Sequence, residues 1–448
     1  MRRLLARLGP AAVAMALIGG LAAANRPGGS PPLFAAGLLA GEGALAPVAP
    51  ADADGAAWLG DSTVLRLGDG RLRWLPPGAR EPVSAPPGDP AALEAARADA
   101  AWLAAGSVPG ASPAEREAAA RSLLVLRQLL RPGGAAIAAA QPYWAYVWPR
   151  DASFTAAALA ATGHRGEAVA ILGFLARTQL PDGGWPARST PAGAPVEDGR
   201  APQLDATGWV PWAAWLASAQ GTDAPVAALA WPMVAAAARL AAASLGPDGL
   251  PPAGPDYWER AERRPTIGTA AALLTGLRAA ARLGAALGHQ AEAADFQAAA
   301  ARLAAAIPAS FHGPAGWRRT PAGGGADAAL TWLAPPFAPA RAGLAADLAA
   351  ARDALGSGGG VVPGRPWAGR DAWTPATASF ALAAAGLGDR AAYRATIDWL
   401  LAHRTALGAF PERVARSDGR PRSAAPLGWT HGLVVLAMVE AADPLPVP

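Results

Sequence analysis

The sequence predicts an all-α fold with one small β-hairpin near its start. Three observations carry this. Ala/Leu-rich segments with apolar residues at three-to-four spacing recur from about Ala91 to the end of the 448-residue chain. Gly/Pro clusters break them into lengths of 10–20 residues, the usual size of globular helices. Only one stretch alternates apolar and polar residues in the manner of strands. Consecutive antiparallel helix pairs suit a closed (α/α)6 barrel, an inner ring of helices wrapped by an outer one. An irregular helical bundle gives the same periodicity.

In chain order, Arg2, Arg3 and Arg7 precede a short apolar run from Pro10 to Ala24 that ends in small residues. This is the pattern of a secretory signal over 1–24, cleaved near Ala24–Asn25, which puts the mature protein outside the cytoplasm. The run is too short for a comfortable membrane span, although an uncleaved N-terminal anchor is the competing reading. Residues 25–57 are Pro-, Gly- and Ala-rich with little periodicity, which predicts a flexible linker. In the small unit 58–85, "TVLRLGDGRLRWL" turns at Gly68-Asp69-Gly70 and reads as a hairpin. The remainder, 86–448, is expected to be the (α/α)6 barrel. Its helices are predicted near 91–105, 113–130, 151–163, 165–179, 205–219, 225–244, 266–287, 289–306, 326–333, 340–355, 375–386, 388–405 and 427–441. No strict repeat is present, which disfavours a solenoid.

Composition excludes several functions. The formal charge of +4 falls to +1 once Arg2, Arg3 and Arg7 are removed, and no basic run offers a nucleic-acid footprint. The chain has no cysteine, so disulfides and thiolate metal sites are ruled out. Its five histidines are scattered without ligand spacing, so no metal or other cofactor is expected. The sequence does not specify an oligomeric state.

Polar residues in unusual company occur where loops enter predicted helices. "YWAYVWPRDASF" places Trp148, Arg150 and Asp151 at a helix start, and "APQLDATGW" places Gln203 and Asp205 at another. "GPDYWERAERRPTIGTA" places Asp256, Trp258, Glu259 and Glu262 ahead of Pro265 and a helix from Thr266, and "GAFPERVARSDG" places Glu412 in a loop. In an alternating barrel the loops entering the inner helices gather at one end, so these residues would line one pocket. Taken singly, each has an ordinary explanation. Asp151 and Asp205 suit N-caps. Glu259 could pair with Arg263 four residues on, and Glu412 stands beside Arg413 and Arg416. Tryptophan is abundant, with 17 residues against 4 Tyr and 8 Phe. Trp144, Trp148, Trp185 and Trp258 sit in Gly/Pro loops beside these carboxyls. Indole stacks on the C–H faces of sugars while carboxylates and guanidinium groups bind hydroxyls, so the composition suits a carbohydrate pocket and an oligo- or polysaccharide partner.

"YVWPRDASF", "APQLDATGW", "DYWERAERRPTIGTA", "DAALTWLAPPFAP" and "AFPERVARSDGRPRSAAPLGWTHG" resemble, in this order, the catalytic domain of glycoside hydrolase family 15. That family holds the glucoamylases and bacterial relatives, including glucodextranases and some trehalases. The similarity runs from about Ser112 to Glu440. It implies an (α/α)6 barrel and an inverting exo-hydrolase releasing glucose from non-reducing ends. Arg150 and Asp151 match the pair that binds hydroxyls of the terminal glucose, Glu259 the general acid and Glu412 the general base. Gln203 and Asp205 match a Gln-x-Asp element near the pocket. Arg365 is the candidate for a further sugar-binding arginine, with Arg370 a competitor. Trp258 is expected to be the apolar wall that keeps Glu259 protonated, and Asp256 a supporting polar group. Arg260 stands where fungal glucoamylases carry a second carboxylate, and no large N-terminal β-sandwich precedes the helices. A non-catalytic glycan-binding envelope protein on the same barrel is the alternative function, and trehalose or dextran the alternative substrates.

Overall fold

A computed structural model of the chain describes residues 31–41, 44–219 and 223–448. The predicted signal, 1–24, and residues 25–30 of the linker lie outside them. Twelve α-helices run through the described residues. They are α1 (Pro90–Ala104), α2 (Pro113–Leu129), α3 (Pro149–Ala161), α4 (Arg165–Thr178), α5 (Ala206–Ala219), α6 (Ala224–Ala243), α7 (Ile267–Ala286), α8 (Gln290–Phe311), α9 (Leu344–Leu355), α10 (Thr374–Gly386), α11 (Arg390–Ala402) and α12 (Gly428–Ala442). A 3-10 helix, Ala328–Leu333, replaces the α-helix expected over 326–333.

Local chemistry sets several of these starts. The Asp89 carboxylate accepts from Ala92 N at 2.9 Å with Pro90 at the first helical position. At α2, Ser112 Oγ accepts from Glu115 N at 3.2 Å. The α7 cap is Thr266, whose Oγ1 accepts from Thr269 N at 3.2 Å. Pro265 therefore lies one residue before the cap rather than in the first turn.

Contacts between elements close a ring. α3 packs on α5, α5 on α7, α7 on the 3-10 helix, that helix on α10, α10 on α12, and α12 back on α3. The helices α2, α4, α6, α8, α9 and α11 each precede one ring member and form the outer layer. The fold is thus the expected (α/α)6 barrel, with one short 3-10 helix completing the inner ring. Burial separates the two layers. Every residue of α3 from Pro149 to Ala160 and of α10 from Thr374 to Ala384 is buried, whereas α11 buries only Tyr393, Thr396, Ile397 and Leu400. Small residues allow close approach: a Cβ on Gly276 of α7 would lie 2.4 Å from Gly208 Cα of α5. Aromatic rings fill the ring's interior, with Phe154, Trp209, Trp212 and Phe337 at centroid separations of 5.0–6.0 Å. α6 is long and apolar enough to cross a membrane, but half of it is buried here as an outer-ring helix.

Residues 31–57 correct the linker reading. β1 (Gly37–Gly41) and β2 (Ala44–Val48) form an antiparallel hairpin, and Leu38 and Leu39 are buried. The Leu38 carbonyl accepts from Gln128 Nε2 of α2 at 2.6 Å, and Phe34 N donates to Ser423 O at 3.0 Å. The Pro/Gly/Ala composition hid a short apolar strand that gains its partner only across the fold. A four-stranded antiparallel sheet follows: β3 (Ala57–Trp58), β4 (Leu65–Arg66), β5 (Leu72–Trp74) and β6 (Val83–Ala85), with β4 and β5 paired around Gly68-Asp69-Gly70. It is fastened to the barrel by Trp58 Nε1 donating to Leu407 O at 2.8 Å and Arg121 donating to Ser62 O at 2.8 Å.

Candidate active site

The N-termini of the inner helices and their entry loops surround a cavity of about 300 Å³. Its floor begins with α3. Pro149 opens the helix, so Arg150 and Asp151 sit in the first turn, both buried. Arg150 donates through one nitrogen to Gln203 Oε1 at 2.8 Å and to Asp205 Oδ2 at 3.2 Å. Its other terminal nitrogen lies 3.4 Å from Asp151 Oδ2 and 3.7 Å from Glu259 Oε1, and Trp429 of α12 stacks beneath at 4.7 Å. Burial alone would lower the proton affinity of Arg150, but Asp151, Asp205 and Glu259 outweigh it and hold the guanidinium charged. Burial raises the Asp151 carboxyl to about 6, against the opposing pull of Arg150 and with help from Glu259 and Asp205.

Glu259 projects from an irregular turn before α7. Its N–H donates to Asp256 O at 2.7 Å, and its φ of 55° lies in the left-handed region that non-glycine residues seldom adopt. Arg319 holds this turn from behind. One of its nitrogens reaches Asp256 at 2.8 Å and Glu262 at 2.7 Å, the other reaches Asp327 at 2.7 Å, and the guanidinium lies 3.6 Å from the Trp258 ring. A single side chain thus grips residues three before and three after Glu259. Glu262 is a salt-bridge residue. The Glu259 carboxyl faces Arg200, bonded to Oε2, and Arg150 near Oε1. This replaces the desolvated apolar setting expected against Trp258; the Trp258 ring is engaged instead by Arg319 and, edge-on at 4.9 Å, by Trp367.

Glu412 arrives from the other side. It precedes β8 (Arg413–Val414), the middle strand of a three-stranded sheet with β7 (Ala372–Trp373) and β9 (Pro421–Arg422). Its backbone is fixed by Glu412 N donating to Ala424 O at 2.7 Å and by Thr374 N donating to Glu412 O at 3.1 Å. Trp144 Nε1 donates to Oε1 at 3.2 Å, Ser423 Oγ donates to Oε2, and Arg413 Nε lies 3.3 Å from Oε2. Trp144 and Ser423 donate hydrogen bonds and Arg413 adds a nearby cation, an arrangement that suits a carboxylate.

The structure brings Trp148, Arg150, Asp151, Trp258, Glu259 and Glu412 to the lining of one cavity. Gln203 and Asp205 stand behind the cavity lining and act on Arg150, so Asp205 serves the guanidinium and not a helix cap, while Asp151 lies inside the first turn, after Trp148 at the cap position. The Asp256 side chain is fully buried, is not part of the cavity lining, and meets Arg319 and Trp258 N, so it supports the turn from behind. Arg365 is not brought in: its Nε donates to Ala354 O at 2.9 Å on the exposed side. Trp185 is buried and donates to Leu175 O. Sequence reasoning missed Arg200, Arg319, Trp367, Trp429 and Phe34. Phe34 lines the cavity 5.8 Å from the Trp144 ring, although it belongs to the stretch expected to be linker. Only the Trp-rich composition hinted at the aromatic members. Among the described residues no group of three or more His, Asp or Glu is placed to hold a metal ion.

No protein-family model matches the chain, and no curated protein matches its sequence. Solved structures do match its fold, and they are glycosidases. A glycosidase variant in complex with glucose superposes with a TM-score of 0.63 at 23% identity, covering 73% of this chain and 96% of that one. More particularly, the fold is that of the glucoamylases. A bacterial glucoamylase complexed with acarbose gives a TM-score of 0.59 at 16% identity over 81% of this chain and 62% of that one. The glucoamylase of Saccharomycopsis fibuligera gives 0.57 at 13% over 75% and 96%. The chain therefore has a glucoamylase-like (α/α)6 fold. At these identities the reaction has to be argued from the site itself.

Proposed function

We propose that this protein is an inverting, exo-acting glycoside hydrolase that releases glucose from the non-reducing ends of α-glucans or α-glucosides. One observation carries the reading: Glu259 and Glu412, from loops far apart in sequence, line one cavity together with Arg150 and Asp151. Arg150 and Asp151 bind hydroxyls of the terminal ring. Glu259 gives its proton to the glycosidic oxygen as the C1–O bond breaks. Glu412 takes a proton from a water whose oxygen bonds to C1 from the opposite face. That geometry requires carboxyls roughly 6.5–9.5 Å apart, leaving room for the water. Glu259 is paired with Arg200 and Arg150. Substrate hydroxyls that take over these guanidinium contacts free the carboxyl to be protonated. The basic leader with its apolar run supports secretion, and a mature N-terminus near Asn25 is the check.

The experiment is glucose release from maltose, isomaltose, starch, dextran and trehalose with the anomer followed by NMR. β-Glucose is expected first, and α-glucose first would refute inversion. Glu259→Gln and Glu412→Gln are each expected to lower kcat by about 10³-fold or more, since each removes an acid–base partner. Turnover surviving in both variants would sink the assignment. The Arg200–Glu259 pair also suits a glycan-binding protein without turnover. Calorimetric glucan binding with no hydrolysis across the panel would select that reading.

A further inference from the structure

The charged residues of the cavity wall fall into matched sets with one exception. Arg150 is satisfied by Asp151, Gln203 and Asp205. Arg200 is bonded to Glu259 and lies 3.2 Å from Asp198, and Arg413 is paired with Glu412. Arg260 also lines the cavity, but it has no ion pair or hydrogen bond among the described residues. Its guanidinium is instead laid over the Trp367 ring at 4.3 Å, and Trp367 abuts Trp258 edge-on at 4.9 Å. The ring shields one face of the exposed guanidinium from water and leaves its N–H groups open to solvent and to a ligand.

Arg260 is the residue that follows Glu259. An acid that protonates the glycosidic oxygen stands at the boundary between the sugar being released and its leaving group. Arg150 and Asp151 occupy the side of the released sugar, which leaves Arg260 and Trp367 to the leaving group. We propose that this side of the cavity selects an anionic leaving group: an α-glucoside whose aglycone carries a carboxylate or a phosphate that Arg260 binds edge-on while Trp367 packs against its carbon skeleton. A planar guanidinium held in place meets a carboxylate or phosphate through two parallel N–H···O bonds. This inference names the substrate class of the site proposed above and rests on that reading.

The test compares substrates that differ only in this charge. Maltobionate and isomaltobionate present an open-chain six-carbon aglycone ending in a carboxylate, and maltitol and isomaltitol present the same chain ending in an alcohol. The kcat/KM of the wild-type enzyme is expected to favour the carboxylate by about tenfold at low salt, with the ratio shrinking as ionic strength rises. In Arg260→Gln the ratio should fall to near one. Equal or better hydrolysis of the alcohols by the wild type would overturn the proposal while leaving the hydrolase reading intact. So would a carboxylate preference that persists in Arg260→Gln. Absence of glucose release from all four compounds and from the neutral panel would overturn the hydrolase reading, and this proposal with it.

Discussion

Replacing Arg319 by Met tests the idea that the turn bearing Glu259 is held from behind. The Arg319 side chain is 3% exposed and touches three carboxylates, of which Asp256 and Asp327 are buried. Removing the cation leaves them unequally provided for. Asp327 keeps the Tyr257 hydroxyl at 2.6 Å and Ala329 N at 2.8 Å. Asp256 keeps only Trp258 N at 3.0 Å on Oδ1, and its Oδ2 has no partner. Breaking a buried pair from one side costs about 3–5 kcal/mol because it strands a desolvated charge, and most of that cost falls on Asp256. Adding Asp256→Asn to Arg319→Met should therefore recover about 1–2 kcal/mol, the scale of an unsatisfied buried charge made neutral. Glu259 would also lose the anchors on either side of its left-handed backbone, so kcat should drop at least about tenfold, as for misplaced catalytic groups. Urea unfolding followed by circular dichroism, with initial rates on the same preparations, reads both effects. Arg319→Met with stability within about 1 kcal/mol of wild type and an unchanged kcat would refute the reasoning.

Two further expectations follow from neighbouring parts of the site. His431 is buried in α12; its Nε2 accepts from Phe410 N at 3.1 Å, so Nδ1 carries the proton toward Ser122 Oγ at 2.9 Å. Burial, with Arg404 and Arg121 nearby, lowers the imidazole to about 3. A folded value below the usual 6.5 means the contribution is complete above pH 6.5 and is lost as the pH falls toward 3, roughly 4–5 kcal/mol over that window. Urea midpoints of the wild type should therefore fall between pH 7 and pH 4 more steeply than those of His431→Asn, and parallel slopes would count against it. Phe34→Ala removes an aromatic wall that is 39% exposed. It should raise KM for a disaccharide about three- to tenfold, the effect of one aromatic contact, with little change in the urea midpoint. An unchanged KM would show that the N-terminal strand only covers the barrel.

Much of the barrel is legible in the sequence because its helices are long, Ala/Leu-rich and punctuated by Gly and Pro. The predicted segment 113–130 is α2, and 388–405 contains α11, with fraying at the ends. The segment 326–333 misled in type, since the six residues Ala328–Leu333 make two 3-10 turns and never reach the length at which periodicity distinguishes helix forms. The linker misled more seriously. Ala35, Ala36, Leu38 and Leu39 are buried against α2 and the loop before Glu412, a partner hundreds of residues away that local composition cannot reveal.

The sequence by itself determined the helix order and the all-α class, because helix periodicity is a local property, and its resemblance to glycoside hydrolase family 15 singled out Glu259 and Glu412 as candidates. Tertiary structure alone decided what surrounds those carboxyls. Whether Glu259 meets an apolar wall or the guanidinium of Arg200, and whether Arg319 or Arg365 supports the site, depends on how loops from different helix pairs converge at one end of the ring. Charge interactions act across a few ångströms of space irrespective of chain separation, so the pairing of these groups is fixed only when the barrel closes.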